Sequence, residues 1–422
     1  MEKTYEVAEE MEKVILIGVA TYEQDDTEES LEELKELVKT AGAETVATVI
    51  QNREAVHSGT YIGKGKIEEV RVLIEELGAT GVVCDDELSP AQLKNLRDML
   101  DTKVMDRTLV ILDIFAARAR TGEGKIQVEL AQLKYRQSRL VGYGKSLSRL
   151  GGGIGTRGPG EKKLEIDRRL IKDRIAVLKR EVEQMKIHRE LARSKRSKNP
   201  TTIISIVGYT NAGKSTLLNE LTGAEVTEED KLFATLDPTT RNYRLESGQE
   251  IMLTDTVGFI RKLPHHLVDA FRSTLEEAKY ADILIHVVDA SNPQMDAQMH
   301  TVYETLSDLG VTEKPIITIF NKQDKVREQL ALEGKQDMPV YRDFKADYTL
   351  NASIKKHEGF EKLLEVIEEI LRNQKIYIAK TFEYSKAGEI QRIRKYGELL
   401  KEEYREDGIY IEAYVPIELI NE

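Results

Sequence analysis

Ile203-Ile204-Ser205-Ile206-Val207-Gly208-Tyr209-Thr210-Asn211-Ala212-Gly213-Lys214-Ser215 is the stretch on which the reading of the chain turns. Its first five residues, mostly apolar and β-branched, predict a buried strand. Thr216-Leu217-Leu218 then opens a helical pattern, so Gly208 to Ser215 is a G-x-x-x-x-G-K-S loop between strand and helix. Glycines there let backbone N–H groups turn inward around phosphate oxygens, and the helix presents its positive end to them. Lys214 is placed to reach the outer phosphates of a nucleoside triphosphate, and the Ser215 hydroxyl to ligate Mg²⁺.

Further motifs follow in the order such a site requires. Ile251 to Asp255 is a strand ending in a carboxylate, and Asp255-Thr256-Val257-Gly258 has the Asp-x-x-Gly form. Asp255 is expected to hold the metal through water, and the Gly258 N–H to sense the third phosphate. Ile316 to Phe320 runs as a strand into Asn321-Lys322-Gln323-Asp324. A carboxylate at Asp324 accepts from guanine N1–H and its exocyclic amine together. Adenine offers neither donor there, so the nucleotide is expected to be GTP. Ser353-Ile354-Lys355 fits a turn that backs the guanine, with Ile354 where alanine is usual. In Phe233-Ala234-Thr235-Leu236-Asp237-Pro238-Thr239-Thr240, Thr235 is the expected switch hydroxyl for Mg²⁺, with Thr239 or Thr240 as the alternative. After Gly258 stands Phe259, where Ras-like enzymes carry a glutamine that orients the attacking water. Catalysis then falls to Lys214 and Gly258, and intrinsic hydrolysis should be slow without a partner.

Outside this region, 422 residues call for several domains. The pattern predicts an α/β fold in four parts. They are an open α/β domain over 1–120, a helical hairpin over 121–199, a Ras-like P-loop domain over 200–373 and a small α+β domain over 374–422. Expected elements include a helix from Ser30 to Thr40 capped by Ser30. Others are a helix from Glu161 to Arg193, a polar linker from Ser194 to Pro200, and a helix from Glu389 to Tyr404 between two C-terminal strands. Apolar residues at helical spacing (Ile126, Leu130, Leu133 and Leu140, then Leu164, Ile171, Ile175, Leu178, Val182 and Met185) predict the two hairpin arms. Between them, residues 142–160 hold eight glycines in nineteen positions. The net charge of −12 conceals an asymmetry, since residues 134–198 carry 20 Lys and Arg against 7 Asp and Glu. An acidic chain with one basic arm suggests a polyanion at that arm. No segment approaches the roughly 20 apolar residues of a membrane span. Met1 to Met11 shows no secretory pattern. Cys84, the one cysteine, lies in an apolar run and reads as a buried strand residue in a reducing cytoplasm. Gly63-Lys64-Gly65-Lys66 reads as a turn and helix start rather than a second phosphate cradle.

Phe233 to Arg241, Asp255 to Ile260 and the tip Gly151-Gly152-Gly153-Ile154-Gly155-Thr156-Arg157-Gly158-Pro159-Gly160-Glu161 together resemble the HflX-type ribosome-associated GTPases. The likeness runs from Gly59-Thr60-Tyr61-Ile62-Gly63-Lys64-Gly65-Lys66 to the C-terminal domain. It implies a cytoplasmic, monomeric GTPase that binds the large ribosomal subunit and splits or rescues stalled or idle ribosomes under stress. Arg157, Lys162 and Lys163 are then the expected ribosome-binding residues of the tip. A GTP-switched assembly or RNA-binding factor without splitting activity is the alternative. An ATP-driven RNA remodeller with a separate N-terminal site is disfavoured by Asp324.

Overall fold

The computed structural model describes residues 11–21, 26–147, 159–196, 201–223, 232–263, 277–335 and 337–416. Two compact units divide the chain, residues 1–184 with 261–271, and residues 185–260 with 272–422.

The first unit begins with β1 (Lys13–Thr21), α1 (Thr27–Thr40), β2 (Glu44–Arg53), α2 (Lys64–Leu77), β3 (Gly81–Cys84), α3 (Pro90–Leu100), β4 (Lys103–Asp106) and α4 (Arg107–Arg118). The strands form a parallel sheet in the order β2-β1-β3-β4, as helical crossovers require. Ser89 caps α3 with a full capping box to Gln92. Ser30, expected to cap the first helix, instead lies inside α1, and its hydroxyl donates to Asp85 at 2.7 Å. That hydroxyl also accepts from Arg107 Nη2 at 3.0 Å, so it is committed to distant partners rather than to a cap, and the helix starts three residues earlier.

Helices α5 (Gly122–Leu147) and α6 (Pro159–Arg196) are the hairpin arms. Leu130, Ile175 and Leu178 form their buried seam, with Ile126, Leu133, Ile171 and Val182 against it. Asp106 fastens α5 to the sheet, accepting from Tyr135 Oη at 2.8 Å and Arg139 Nη2 at 2.7 Å. Residues 194–196, read as linker, continue α6, because nothing before Pro200 breaks the helix. Arg157 and the tip from Gly151 to Gly158 lie outside the described residues, whereas Lys162 and Lys163 stand on the first turns of α6.

The second unit holds β5 (Thr202–Gly208), α7 (Lys214–Thr222), β6 (Thr239–Arg244), β7 (Glu250–Asp255), β8 (Ile283–Asp289), α8 (Met295–Asp308), β9 (Ile316–Asn321), α9 (Gln323–Leu332), β10 (Tyr348–Asn351) and α10 (Phe360–Asn373). Its sheet runs β10-β9-β8-β5-β7-β6, parallel except where β6 meets β7. Ile204, Ile206, Ile285, Val287 and Ile319 pack with Leu217, Leu218 and Ile367 as the core. With β5 central, the loop after it emerges among the carboxyl ends of its neighbours, where open parallel sheets bind ligands.

The chain closes with β11 (Ile376–Phe382), α11 (Ala387–Tyr396), β12 (Glu398–Arg405) and β13 (Gly408–Val415) in an antiparallel sheet β11-β13-β12. The expected helix to Tyr404 therefore stops at Tyr396. Gly397 ends it, and Glu398 to Arg405 pairs with β13 as a strand. Consecutive charged residues, Lys401 to Glu403, interrupt the two-residue alternation by which this edge strand could have been read from sequence.

Candidate functional site

Gly208 and Gly213 bound the loop after β5 with φ of 150° and 103°. A Cβ on Gly208 would stand 2.3 Å from the Val287 carbonyl oxygen, and one on Gly213 2.4 Å from Asn321 Nδ2. Only glycine fits either place. Gly213 precedes the first turn of α7 with no side chain capping it, so the N–H groups there are available to phosphate.

Lys214 is buried, and its Nζ donates to the Tyr209 carbonyl at 2.7 Å, arching back over the loop. Burial lowers its pKa to about 8, against the opposing pull of Asp255. A buried cation held short of full compensation is poised for anionic oxygens.

Ser215, Thr235 and Asp255 converge beside it. Ser215 Oγ donates to Asp255 Oδ2 at 2.7 Å and lies 2.8 Å from Thr235 Oγ1. Asp255 is fully buried, and its Oδ1 has no hydrogen-bond partner. Burial raises its pKa, opposed by Lys214, Ser215 and Thr235. An all-oxygen set with an unpaired buried carboxylate oxygen suits a hard cation such as Mg²⁺. Thr240 instead faces Thr254 at 3.0 Å between β6 and β7, and Thr239 pairs with Asp255 only along the strand.

Gly258 abuts the same corner. A Cβ there would lie 2.8 Å from Thr210 Cγ2 and 2.9 Å from Lys214 Nζ. Phe259 is 2% exposed and bound to the loop through its backbone. Its N–H donates to Gly208 O at 3.1 Å, and its carbonyl accepts from Thr210 N at 2.8 Å. The residue in the glutamine position is thus a plug in the protein interior.

At the other end, Asn321 joins two loops, with Nδ2 donating to Ala212 O at 2.9 Å and Oδ1 accepting from Ile354 N at 3.0 Å. Ser353 Oγ donates to Asp324 Oδ1 at 2.7 Å. Partial burial works against ionisation of Asp324, yet the Ser353 bond holds its pKa below the ordinary value. Ile354, the departure from alanine, is 1% exposed in the core, with Cδ1 3.9 Å from a Cβ built on Gly213. It fills space beneath the phosphate loop, leaving only its backbone to the turn.

A cleft of about 370 Å³ connects these parts, lined from Thr210, Lys214 and Ser215 through Phe233 and Thr235 to Asn321, Lys322, Asp324 and Lys355. Tyr209, Leu236, Val257 and Gln323 are buried away from its wall. Thr216, Glu220 and Lys325 line it without having been singled out in the sequence. Asp289, also missed, pairs through Oδ2 with Lys322 Nζ at 2.7 Å. Its signal was a carboxylate closing the apolar run of β8 at the sheet's carboxyl edge.

A phosphate loop on the central strand, an oxygen-lined metal corner and a carboxylate placed for guanine define a P-loop GTPase. Comparison with known proteins carries this to a family. Residues 28–116 match the GTP-binding GTPase N-terminal domain, 118–196 its middle region, and 203–322 the 50S ribosome-binding GTPase domain. GTPase HflX of Lacrimispora saccharolytica is 64% identical over 99% of this chain and 97% of its own. GTPase HflX of Caldanaerobacter subterraneus is 49% identical over 98% and 93%, and that of Escherichia coli 44% over 75% and 74%. The chain belongs to the HflX family of GTPases and is a GTP hydrolase. Among solved structures, the GDP complex of SsGBP is 29% identical, spans 85% of this chain and 98% of that one, and has a TM-score of 0.46.

Proposed function

We propose that this protein binds the large ribosomal subunit in the cytoplasm and couples GTP hydrolysis to the splitting or rescue of stalled or idle ribosomes under stress. The observation that carries the reading is the charge of the hairpin, 20 basic against 7 acidic residues over 134–198, joined to a GTPase region of the 50S ribosome-binding kind. Such an arm can follow rRNA phosphates, with an affinity that falls steeply with salt.

In this reading Gly208 to Ser215 cradle the phosphates, and Lys214 neutralises the outer oxygens. Ser215 and Thr235 would hold Mg²⁺ directly and Asp255 through water. The metal, when bound, screens charge developing on the phosphate oxygens. Gly258 senses the third phosphate. Ser353 braces Asp324 against the base, Asn321 ties the phosphate loop to the turn behind it, and Ile354 and Lys355 close that turn. Phe259, plugged into the interior, cannot itself orient the attacking water, which supports slow turnover that a ribosomal partner stimulates.

The test is GTP turnover with and without purified large subunits, run beside a subunit-separation assay. Stimulated turnover with separation supports the reading. Fast turnover indifferent to ribosomes overturns it, and stimulation without separation favours an assembly or RNA-binding factor.

A further inference from the structure

Thr210 is 6% exposed, and its Oγ1 is fully buried without a hydrogen-bond partner. The residue nevertheless lines the nucleotide cleft. Its backbone is fastened to Phe259 at 2.8 Å, which fixes where the side chain begins. Its methyl, Cγ2, lies 2.8 Å from the point where a Gly258 Cβ would be, and Lys214 Nζ lies 2.9 Å from that same point. The polar end of Thr210 is therefore turned into the interior, while its apolar end faces a cation and a free glycine.

That orientation is the reverse of what either environment favours, because a buried hydroxyl without a partner is costly. Hydroxyl and methyl differ by one rotamer about Cα–Cβ. One such step brings Oγ1 into the place now held by Cγ2, at the corner between Lys214 and Gly258. An anionic oxygen arriving there gives the hydroxyl the acceptor it lacks. Of the nucleotide's phosphates, the third is the one that Gly258 is assigned to sense.

We propose that Thr210 determines specificity for the triphosphate, its hydroxyl donating to a γ-phosphate oxygen that GDP does not possess. Thr210 thereby adds a side-chain reader to the backbone reader at Gly258. The inference rests on the assignment of Lys214 and Gly258 to the phosphate end of the site.

The experiment compares Thr210→Val, nearly isosteric but without the hydroxyl, with Thr210→Ser and Lys214→Ala in the full-length protein. Affinities for GDP and for the non-hydrolysable β,γ-imido analogue of GTP are measured with Mg²⁺, together with thermal stability. Thr210→Val is expected to weaken the triphosphate analogue about ten- to a hundredfold, the range for a hydrogen bond to a charged group, and to leave GDP unchanged. Thr210→Ser should restore the preference. Equal weakening of both nucleotides would mark Thr210 as merely structural, and unchanged affinity for both would show that the hydroxyl is unused. Either overturns the proposal. Undiminished nucleotide binding in Lys214→Ala instead overturns the site assignment beneath it.

Discussion

Asp324 is held by Ser353 at 2.7 Å, so the carboxylate is oriented before any base arrives. Asp324→Asn exchanges an acceptor pair for an acceptor and a donor. GTP affinity should fall, and xanthosine triphosphate, whose C2 carbonyl accepts from the amide, should gain, as competition binding would measure. Unchanged GTP affinity would contradict the base assignment. Lys214 carries a second prediction. Burial places its pKa at about 8 in the free protein, and phosphate oxygens must raise it. The bound state then holds more protons than the free state above that value, so affinity falls as pH rises through it. Calorimetry in two buffers of different ionisation enthalpy should find proton uptake on binding that is small at pH 7 and clearly larger at pH 8.5. No difference between the two pH values would mean that Lys214 does not meet the phosphates.

At the scale of elements, long-range polar bonds moved boundaries that local signals misplaced. Ser30 and Glu33 look like a capping box, yet both serve Arg107, the first residue of α4. The guanidinium is 1% exposed and bonds Asp85 Oδ1 at 2.7 Å, Glu33 Oε1 at 2.6 Å and Ser30 O at 2.6 Å. Lys262 shares Asp85, and burial of that carboxyl is outweighed by Arg107 and Lys262, so its pKa is lowered. Arg107→Ala leaves buried acidic groups short of a partner and should destabilise the N-terminal unit by about 3–5 kcal/mol. Chemical denaturation followed through that unit would test it, a loss under about 1 kcal/mol showing the network to be dispensable. The same lesson holds for β12. Its residues have a helical appearance in isolation, and only pairing with β13 makes them a strand.

For the molecule as a whole, the basic arm and the nucleotide site are expected to be separable functions. Deleting Gly151 to Gly160 should leave GTP binding intact and cost activity on ribosomes more than affinity. Reversing charge at Arg157, Lys162 and Lys163 should cost affinity as well, with the salt slope of RNA binding reduced by about 0.7–0.9 per lost phosphate contact. Ribosome cosedimentation across a salt series, beside subunit separation, measures both. Separation at the wild-type rate without the tip would reduce it to a connector.

The nucleotide motifs and the α/β alternation were legible in the sequence because their chemistry is local. A glycine turn, a lysine and a hydroxyl within eight residues specify a phosphate cradle wherever a strand precedes and a helix follows. Tertiary structure alone decided how those motifs meet. Asn321 reaches Ala212 from 109 positions away, Phe259 turns from an absent catalyst into a plug, Ile354 becomes a core side chain beneath the loop, and Asp289 takes hold of Lys322. Each depends on a partner brought near by the parallel sheet, and such proximity has no period, spacing or composition by which a linear sequence could display it.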